Sequence, residues 1–203
     1  MERKDFLIVL ASGSPRRKEL LKKAGFQFAI CPAEGEERAD AKDPQSLVEA
    51  LSDRKASEVY HRLRPKKRKP ILVIGADTVV ALDQAVLGKP HTEDKAVEML
   101  KMLSGKAHHV YTGVTVIASL GQKKAPVKRT FHEDTEVIFK ALSEETIRTY
   151  VATGEPLDKA GAYGIQGKGG ALVETIRGDY DNVVGLPVTA LSNTIDSLLS
   201  ALE

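Results

Sequence analysis

At 203 residues the chain can bury a proper core, either as one domain or as two lobes sharing a cleft. With 42% hydrophobic and 29% charged residues its composition is that of an ordinary soluble globular protein, and 30 basic against 28 acidic side chains leave a formal charge of only +2, which argues against wrapping nucleic acid or lying on an anionic membrane. A single cysteine, Cys31, excludes an intrachain disulfide framework and fits a reducing compartment. The apolar run from Phe6 to Ala11 is too short for a signal-peptide core or a membrane span, so the expectation is a cytoplasmic protein with no membrane and no nucleic-acid partner.

Leu7 to Leu10 reads as a short buried strand that breaks at Ser12-Gly13 into a helical spacing. Ser14 is placed to cap that helix, Pro15 suits its first position, and Gly25 closes it. Arg16 and Arg17 then fall in the first turn, where the helix dipole is already positive. They are either two solvated arginines on a basic helix or part of an anion site that uses the dipole, the open N–H groups and the guanidinium charge together.

Phe26 to Cys31 predicts a second strand. The polar loop behind it carries Glu34, Glu36 and Glu37, three carboxylates that are either solvated or partly committed to a cation. Asp43-Pro44 repeats the cap-plus-proline signature and predicts a helix to about Leu63, with Leu47, Val48, Leu51 and Val59 forming one apolar stripe. Lys55 falls inside this stripe. It either snorkels past the core edge or points toward an anion. From Arg64 to Pro70 the chain is strongly basic, with Lys66, Lys67, Arg68 and Lys69 between the prolines; a solvated loop is the economical reading, a nucleic-acid patch the alternative.

Ile71 to Ile74 predicts a strand of the kind buried in a parallel sheet, ending at Gly75-Ala76-Asp77-Thr78. Ligands in open α/β sheets bind outside the carboxyl ends of strands, so Asp77 is placed for chemistry; the competing role is a turn former. Asp83-Gln84 turns the chain into Val86-Leu87-Gly88-Lys89-Pro90, Thr92 caps a helix through Leu103, and alternation over Val110 to Ala118 and Val127 to Phe139 predicts two long antiparallel strands. Ser143 caps a short helix reaching Tyr150. The segment Asp158 to Gly170 then holds Gly161, Gly164, Gly167, Gly169 and Gly170, a density that implies unusual backbone angles or close backbone approach. It is neither a Walker A loop nor a dinucleotide fingerprint. Ala171 to Ile176 is a strand, and Asn182 to Pro187 leads into a closing amphipathic helix. An anion-ready helix start, a lysine in an apolar stripe, a carboxylate at a strand end and an acidic loop together describe metal-assisted phosphoryl chemistry.

Ala11-Ser12-Gly13-Ser14-Pro15-Arg16-Arg17, Gly75-Ala76-Asp77-Thr78, Gly88-Lys89-Pro90, Leu103-Ser104-Gly105, Asp158 to Gly167 and Val184-Gly185-Leu186-Pro187 occur in an order that resembles the Maf family of nucleoside triphosphate pyrophosphatases, from Leu7 to about Leu199. The resemblance implies a single α/β domain over residues 1–203, with two lobes around a long mixed β-sheet and flanking helices, similar to the inosine triphosphate pyrophosphatase fold. It also implies a cytoplasmic enzyme, often a homodimer, that needs a divalent cation (Mg2+ or Mn2+) and converts a nucleoside triphosphate and water to a monophosphate and pyrophosphate, a house-cleaning activity on nucleotide pools. The family's roles fall on Asp77 as proton acceptor, on Ser12, Arg17 and the catalytic lysines Lys55 and Lys89 around the phosphates, and on Glu37 and Asp77 near the metal. The branch acting on 7-methyl-GTP differs at Arg16, Thr78 and Gln166, and the residues present here match the branch that hydrolyses dTTP and UTP. Gln166 has a physical reason to matter, because its amide offers one donor and one acceptor to the N3–H and carbonyl edge of uracil or thymine. Two other classes stand beside this reading: a nucleotide-binding regulator of cell division and septum formation with little turnover, and a nucleic-acid module built on Arg64 to Lys69.

Overall fold

The computed structural model describes residues 2–35, 39, 41, 43–64, 70–121 and 125–202. Strand β1 (Leu7–Leu10) is followed by helix α1 (Pro15–Lys23), whose cap is the one expected: the Ser14 hydroxyl accepts from the Arg17 N–H, Pro15 takes the first position, and Gly25 follows at φ 80°. Strand β2 is shorter than its apolar run suggests, only Ala29–Ile30 where Phe26 to Cys31 was expected. The reason is local. Phe26 still donates its N–H to the Leu21 carbonyl, so the chain has not yet left the helix end.

Helix α2 (Pro44–Leu63) starts at Asp43, whose carboxylate accepts from the Ser46 N–H at 2.8 Å. Strand β3 (Ile71–Leu82) corrects a second expectation: it does not stop at Ile74 but runs on for 12 residues, so Asp77 lies inside a strand. Pairing explains why this strand looks like two in sequence. Leu7 to Leu10 pair in parallel with Ile71 to Ile74, whereas Val80 to Leu82 pair antiparallel with β4 (Ala85–Leu87). Between these stretches Gly75 and Asp77 interrupt the apolar pattern. The β3–β4 hairpin turns on Asp83 and Gln84, both at positive φ, as a tight two-residue connection requires.

Helix α3 (Glu93–Leu103), strands β5 (Ala107–Ser119) and β6 (Val127–Phe139), helix α4 (Glu144–Val151), strand β7 (Val173–Arg177), and helices α5 (Tyr180–Val184) and α6 (Val188–Ser200) complete the order. The strands form one seven-stranded mixed sheet in the order β2-β1-β3-β5-β6-β7, with β4 paired to β3, and β6 and β7 run antiparallel. The glycine-dense segment folds as 3-10 turns at Glu155–Asp158, Ala160–Ala162 and Lys168–Leu172. No helix among the described residues is long and apolar enough to cross a membrane.

The chain divides into two compact units, the first Met1–Asp77, Thr112–His132 and Gly185–Glu203, the second Thr78–Tyr111 and Glu133–Val184. In the first, Val9, Ile71, Val73 and Ile117 of the strands, with Ala11 just past β1, pack with Ala56, Val59 and Tyr60 of α2. In the second, Leu100 and Leu103 of α3, Ile147 and Val151 of α4, and Val110, Val137 and Phe139 of the strands form the core together with Tyr163. His108 is enclosed there at 1% exposure, its Nε2 3.0 Å from the Tyr163 hydroxyl and its ring edge-on to Phe139.

Burial, with a smaller contribution from neighbouring His109, lowers the His108 pKa from 6.5 to about 4. The folded state therefore refuses a proton that the unfolded chain accepts. Stability is unaffected above about pH 6.5 and falls as the pH drops toward about 4, by on the order of 3 kcal/mol. His108→Gln, which can still hydrogen-bond Tyr163, is expected to remove that part of the acid slope. Urea titrations of both proteins at pH 7 and pH 4.5 measure it, and parallel slopes would show that His108 is not the group responsible.

Candidate functional site

Strand β1 lies between β2 and β3, so the chain moves from β1 to one side and then crosses to the other. In an open sheet this switch point leaves a crevice outside the carboxyl ends of the two strands on either side of it. Here β1 ends in the Ala11–Ser14 loop leading into α1, while β3 runs on past its pairing with β1. Ala11 closes the parallel ladder by donating its N–H to the Ile74 carbonyl at 2.8 Å. Ser12, Arg17, Ala76 and Asp77 follow directly.

Arg17 is neither solvated nor at the surface. At 9% exposure its Nε donates to the Gly185 carbonyl at 2.8 Å, and Nη1 donates to the Ala76 carbonyl at 2.9 Å and the Ser12 hydroxyl at 3.1 Å. One guanidinium thus ties the β1–α1 loop, β3 and the segment before α6, using acceptors that carry no net charge. Arginine suits this because its planar fork presents several fixed donors and keeps its charge even when enclosed. Ser12 is equally enclosed, and its oxygen also accepts from the Ser14 N–H at 3.3 Å. Arg16, one position earlier on α1, is half-buried.

Lys55 reaches Asp77 because α2 lies directly on the sheet. A Cβ at Gly75 would stand 2.4 Å from the Ser52 carbonyl oxygen and 2.7 Å from the Ala56 nitrogen; one at Gly113 on β5 would stand 2.2 Å from the Val48 carbonyl oxygen. Val48, Ser52 and Ala56 are spaced by four and share a helix face, so two glycines in neighbouring strands receive one helix. Ser52 fixes the rotation further, its hydroxyl 3.0 Å from that of Thr115 on β5. Lys55, one residue before Ala56, then places its ammonium 2.6 Å from Asp77 Oδ1, with the two side chains only 14% and 13% exposed. The lysine in the apolar stripe therefore points to a carboxylate. Farther along α2, Glu58 accepts the N–H groups of Glu34 and Gly35 at 2.9 and 3.0 Å, and these bonds, the Glu34 one foremost, lower its pKa. Glu37, the expected second carboxylate, lies outside the described residues, as do Lys66 to Lys69 of the basic stretch. Arg64, which opens that stretch, sits over the Tyr60 ring.

The remaining expected residues belong to the second unit. Thr78 follows Asp77 in β3 and is half-buried; Lys89 and Gln166 are exposed. Their segments are tied to each other, since the Gly161 N–H donates to the Gly88 carbonyl at 3.1 Å, and Gly161, at φ 67°, packs where a Cβ would be 2.8 Å from Val80. Sequence reasoning missed Gly185 and Ala76 as acceptors for Arg17, because a backbone carbonyl leaves no residue-type signal, and it missed Glu155 and Tyr150, which grip the glycine-rich segment. Among the described residues no three His, Cys, Asp or Glu side chains converge as a ready-made metal cage. Asp77 does offer a hard carboxylate oxygen. That donor suits Mg2+ or Mn2+, which commonly take one or two carboxylates and leave the rest of their shell to water and phosphate oxygens.

Residues 7–198 match the family described as Maf-like protein. The chain is 47% identical over 199 residues to a dTTP/UTP pyrophosphatase of Agathobacter rectalis, covering 94% of this chain and 97% of that one. It is 52% identical over 185 residues to a dTTP/UTP pyrophosphatase of Bacillus cereus, covering 91% of each. Among solved structures it is similar to a nucleoside-triphosphatase / dITP/XTP pyrophosphatase of Mycobacterium abscessus, with a TM-score of 0.45 and 13% identity over 97% of this chain and 96% of that one. The family match over nearly the whole chain, with close relatives of the same length, establishes that this chain belongs to the Maf-like proteins.

Proposed function

We propose that the chain is a nucleotide pyrophosphatase that adds water across the α–β anhydride of dTTP and UTP, releasing the nucleoside monophosphate and pyrophosphate. The observation that carries this is the Lys55–Asp77 pair, held beside the Arg17 tie just past the parallel pairing of β1 with β3. Relatives about half identical over nearly their full length are named dTTP/UTP pyrophosphatases. In this reading Lys55 fixes Oδ1 of Asp77, and the other oxygen takes the proton from the attacking water. The triphosphate meets Lys55, the start of α1 and the Ser12–Arg17 corner, a set of donors and fixed positive charges that favours the charge developing on the leaving pyrophosphate; a role for Lys89 at the phosphates rests on the family resemblance. Asp77, with Glu37, would hold a divalent cation, which supplies neutralisation of phosphate charge and activation of water. Arg16, Thr78 and Gln166 select the base. A cytoplasmic location and pairing as a homodimer complete the reading and are supported by the family resemblance.

Incubating the protein with Mg2+ or Mn2+ and each common nucleoside triphosphate is expected to yield monophosphate and pyrophosphate, fastest with dTTP and UTP. Orthophosphate and a diphosphate as first products would overturn it. Asp77→Asn keeps shape and the contact to Lys55 while removing the basic lone pair. It should cost about 10²–10⁴ in kcat and leave nucleotide affinity intact. Unchanged kcat removes Asp77 from the chemistry, while partial recovery at high metal concentration makes it chiefly a ligand.

Arg17→Ala should act on two levels. Loss of a charge-assisted phosphate contact costs about 10- to 150-fold in kcat/KM. The Gly185 and Ala76 carbonyls also lose their donor, so the Tm should fall by several degrees. A melting shift with less than threefold change in kcat/KM would confine Arg17 to its structural tie.

A further inference from the structure

The glycine-rich segment seats Ala162, Tyr163 and Ile165 on the core of the second unit, but that packing leaves Gln166 exposed, and its presentation needs a further hold. Two residues that precede the segment supply it. Gly164 to Gly167 form a turn closed by the Gly167 N–H donating to the Gly164 carbonyl at 3.2 Å, with Ile165 and Gln166 at its tip. Both ends of this turn are gripped from outside. On one side the Gly164 N–H donates to the Tyr150 hydroxyl at 3.2 Å; on the other the Lys168 and Gly169 N–H groups donate to Glu155 Oε2 and Oε1 at 3.0 and 3.2 Å. Tyr150 closes the circuit by donating its own hydrogen to Glu155 Oε1 at 2.9 Å.

The glycines are what this grip demands. A Cβ at Gly167 would lie 2.5 Å from both Glu155 oxygens, one at Gly169 2.5 Å from the Tyr150 oxygen, and one at Gly170 2.6 Å from the Ile165 carbonyl oxygen. Burial of Tyr150 raises its pKa, so the hydroxyl keeps the hydrogen it donates. For Glu155, burial alone would raise the pKa, but the Gly169 and Lys168 N–H groups and Tyr150 outweigh it and hold the carboxyl below its usual range.

We propose that Glu155, acting with Tyr150, is the positioning residue that presents Gln166 and thereby sets the selectivity for uracil and thymine over other bases. This rests on the reading of Gln166 as the base-selecting side chain. An amide can tell a donor–acceptor edge from its reverse only if its backbone is fixed to within a few tenths of an ångström. An exposed side chain on a two-residue tip has no packing of its own to do this. The carboxylate supplies it with charge-assisted bonds to two consecutive N–H groups, and the tyrosine supplies the opposite end.

The test compares Glu155→Gln, Tyr150→Phe and Gln166→Ala, measuring kcat and KM for UTP and CTP and amide hydrogen exchange over residues 164–169. In Glu155→Gln those amides should exchange faster and the UTP-to-CTP ratio of kcat/KM should fall about tenfold, mainly through KM. Tyr150→Phe should do the same more weakly, and it carries the test if Glu155→Gln fails to fold. Combining Glu155→Gln with Gln166→Ala should lower the ratio no further than the larger single effect. If Gln166→Ala changes the ratio and Glu155→Gln does not, the proposal is overturned while Gln166 keeps its role. If Gln166→Ala leaves the ratio unchanged, Gln166 is not the reader, and the proposal falls together with that reading whatever Glu155→Gln does. An equal loss of kcat on both nucleotides, with the ratio kept, would also overturn it.

Discussion

Direct contact between a helix backbone and two glycines is the constraint from which the first unit follows. Gly75 and Gly113 leave no room between α2 and strands β3 and β5, so the Val48–Ser52–Ala56 face of α2 has one rotation and one depth on the sheet. Any side chain at either glycine would have to displace main-chain atoms, which tightly packed interiors resist. With the helix pinned, Lys55 has one direction to point, and it meets Asp77. The charge pair is therefore a consequence of packing. It is also costly to enclose, which makes its near-burial informative: removing two charges from most of their water is seldom a net stabiliser, so such pairs are retained for reasons other than stability.

Arg17 solves a second problem of the same kind. The Ala11–Ser14 loop, the Ala76 carbonyl inside β3 and the Gly185 carbonyl come together, and each brings polar backbone into a place with little solvent. A single guanidinium satisfies two of those carbonyls and the Ser12 hydroxyl. Its guanidinium lies next to Asp77's strand and the start of α1. Structural tie and source of electrostatic potential are in this case the same atoms, and that is why substitution of Arg17 acts on fold and chemistry together.

The second unit reaches order differently. Its glycine-rich segment seats Ala162, Tyr163 and Ile165 on the core, and a polar circuit of Tyr150, Glu155 and consecutive N–H groups holds the turn between them and Gly170. Below it, Tyr163, Phe139 and His108 stack edge to face and join the loop to the packed interior of α3 and α4. A loop so anchored is held where it begins and ends, with Ile165 packed against the core and Gln166 exposed at the tip, a suitable arrangement for reading a ligand.

Local signals were legible before any coordinates. Ser14, Asp43, Thr92 and Ser143 cap helices where their spacing says they must, Gly25 adopts the positive φ its residue type favours, and the order of strands and helices follows the apolar periodicity. The motif series from Ala11 to Pro187 likewise places the chain in its family, because the motifs are contiguous and carry their own chemistry. Pairing lengths were not legible. β2 shrinks to two residues and β3 runs straight through Gly75 to Thr78, since a strand's extent depends on which neighbour supplies its hydrogen bonds, and no residue encodes its neighbour. The sequence could place Lys55 in an apolar stripe and Asp77 after a strand, but not their meeting across 22 residues; that needed Gly75 to admit α2. Nor could it show that Arg17 bonds backbone carbonyls, or that Glu155 holds the loop behind Gln166. Main-chain acceptors and donors are identical at every position, and only the tertiary fold decides which of them a side chain finds.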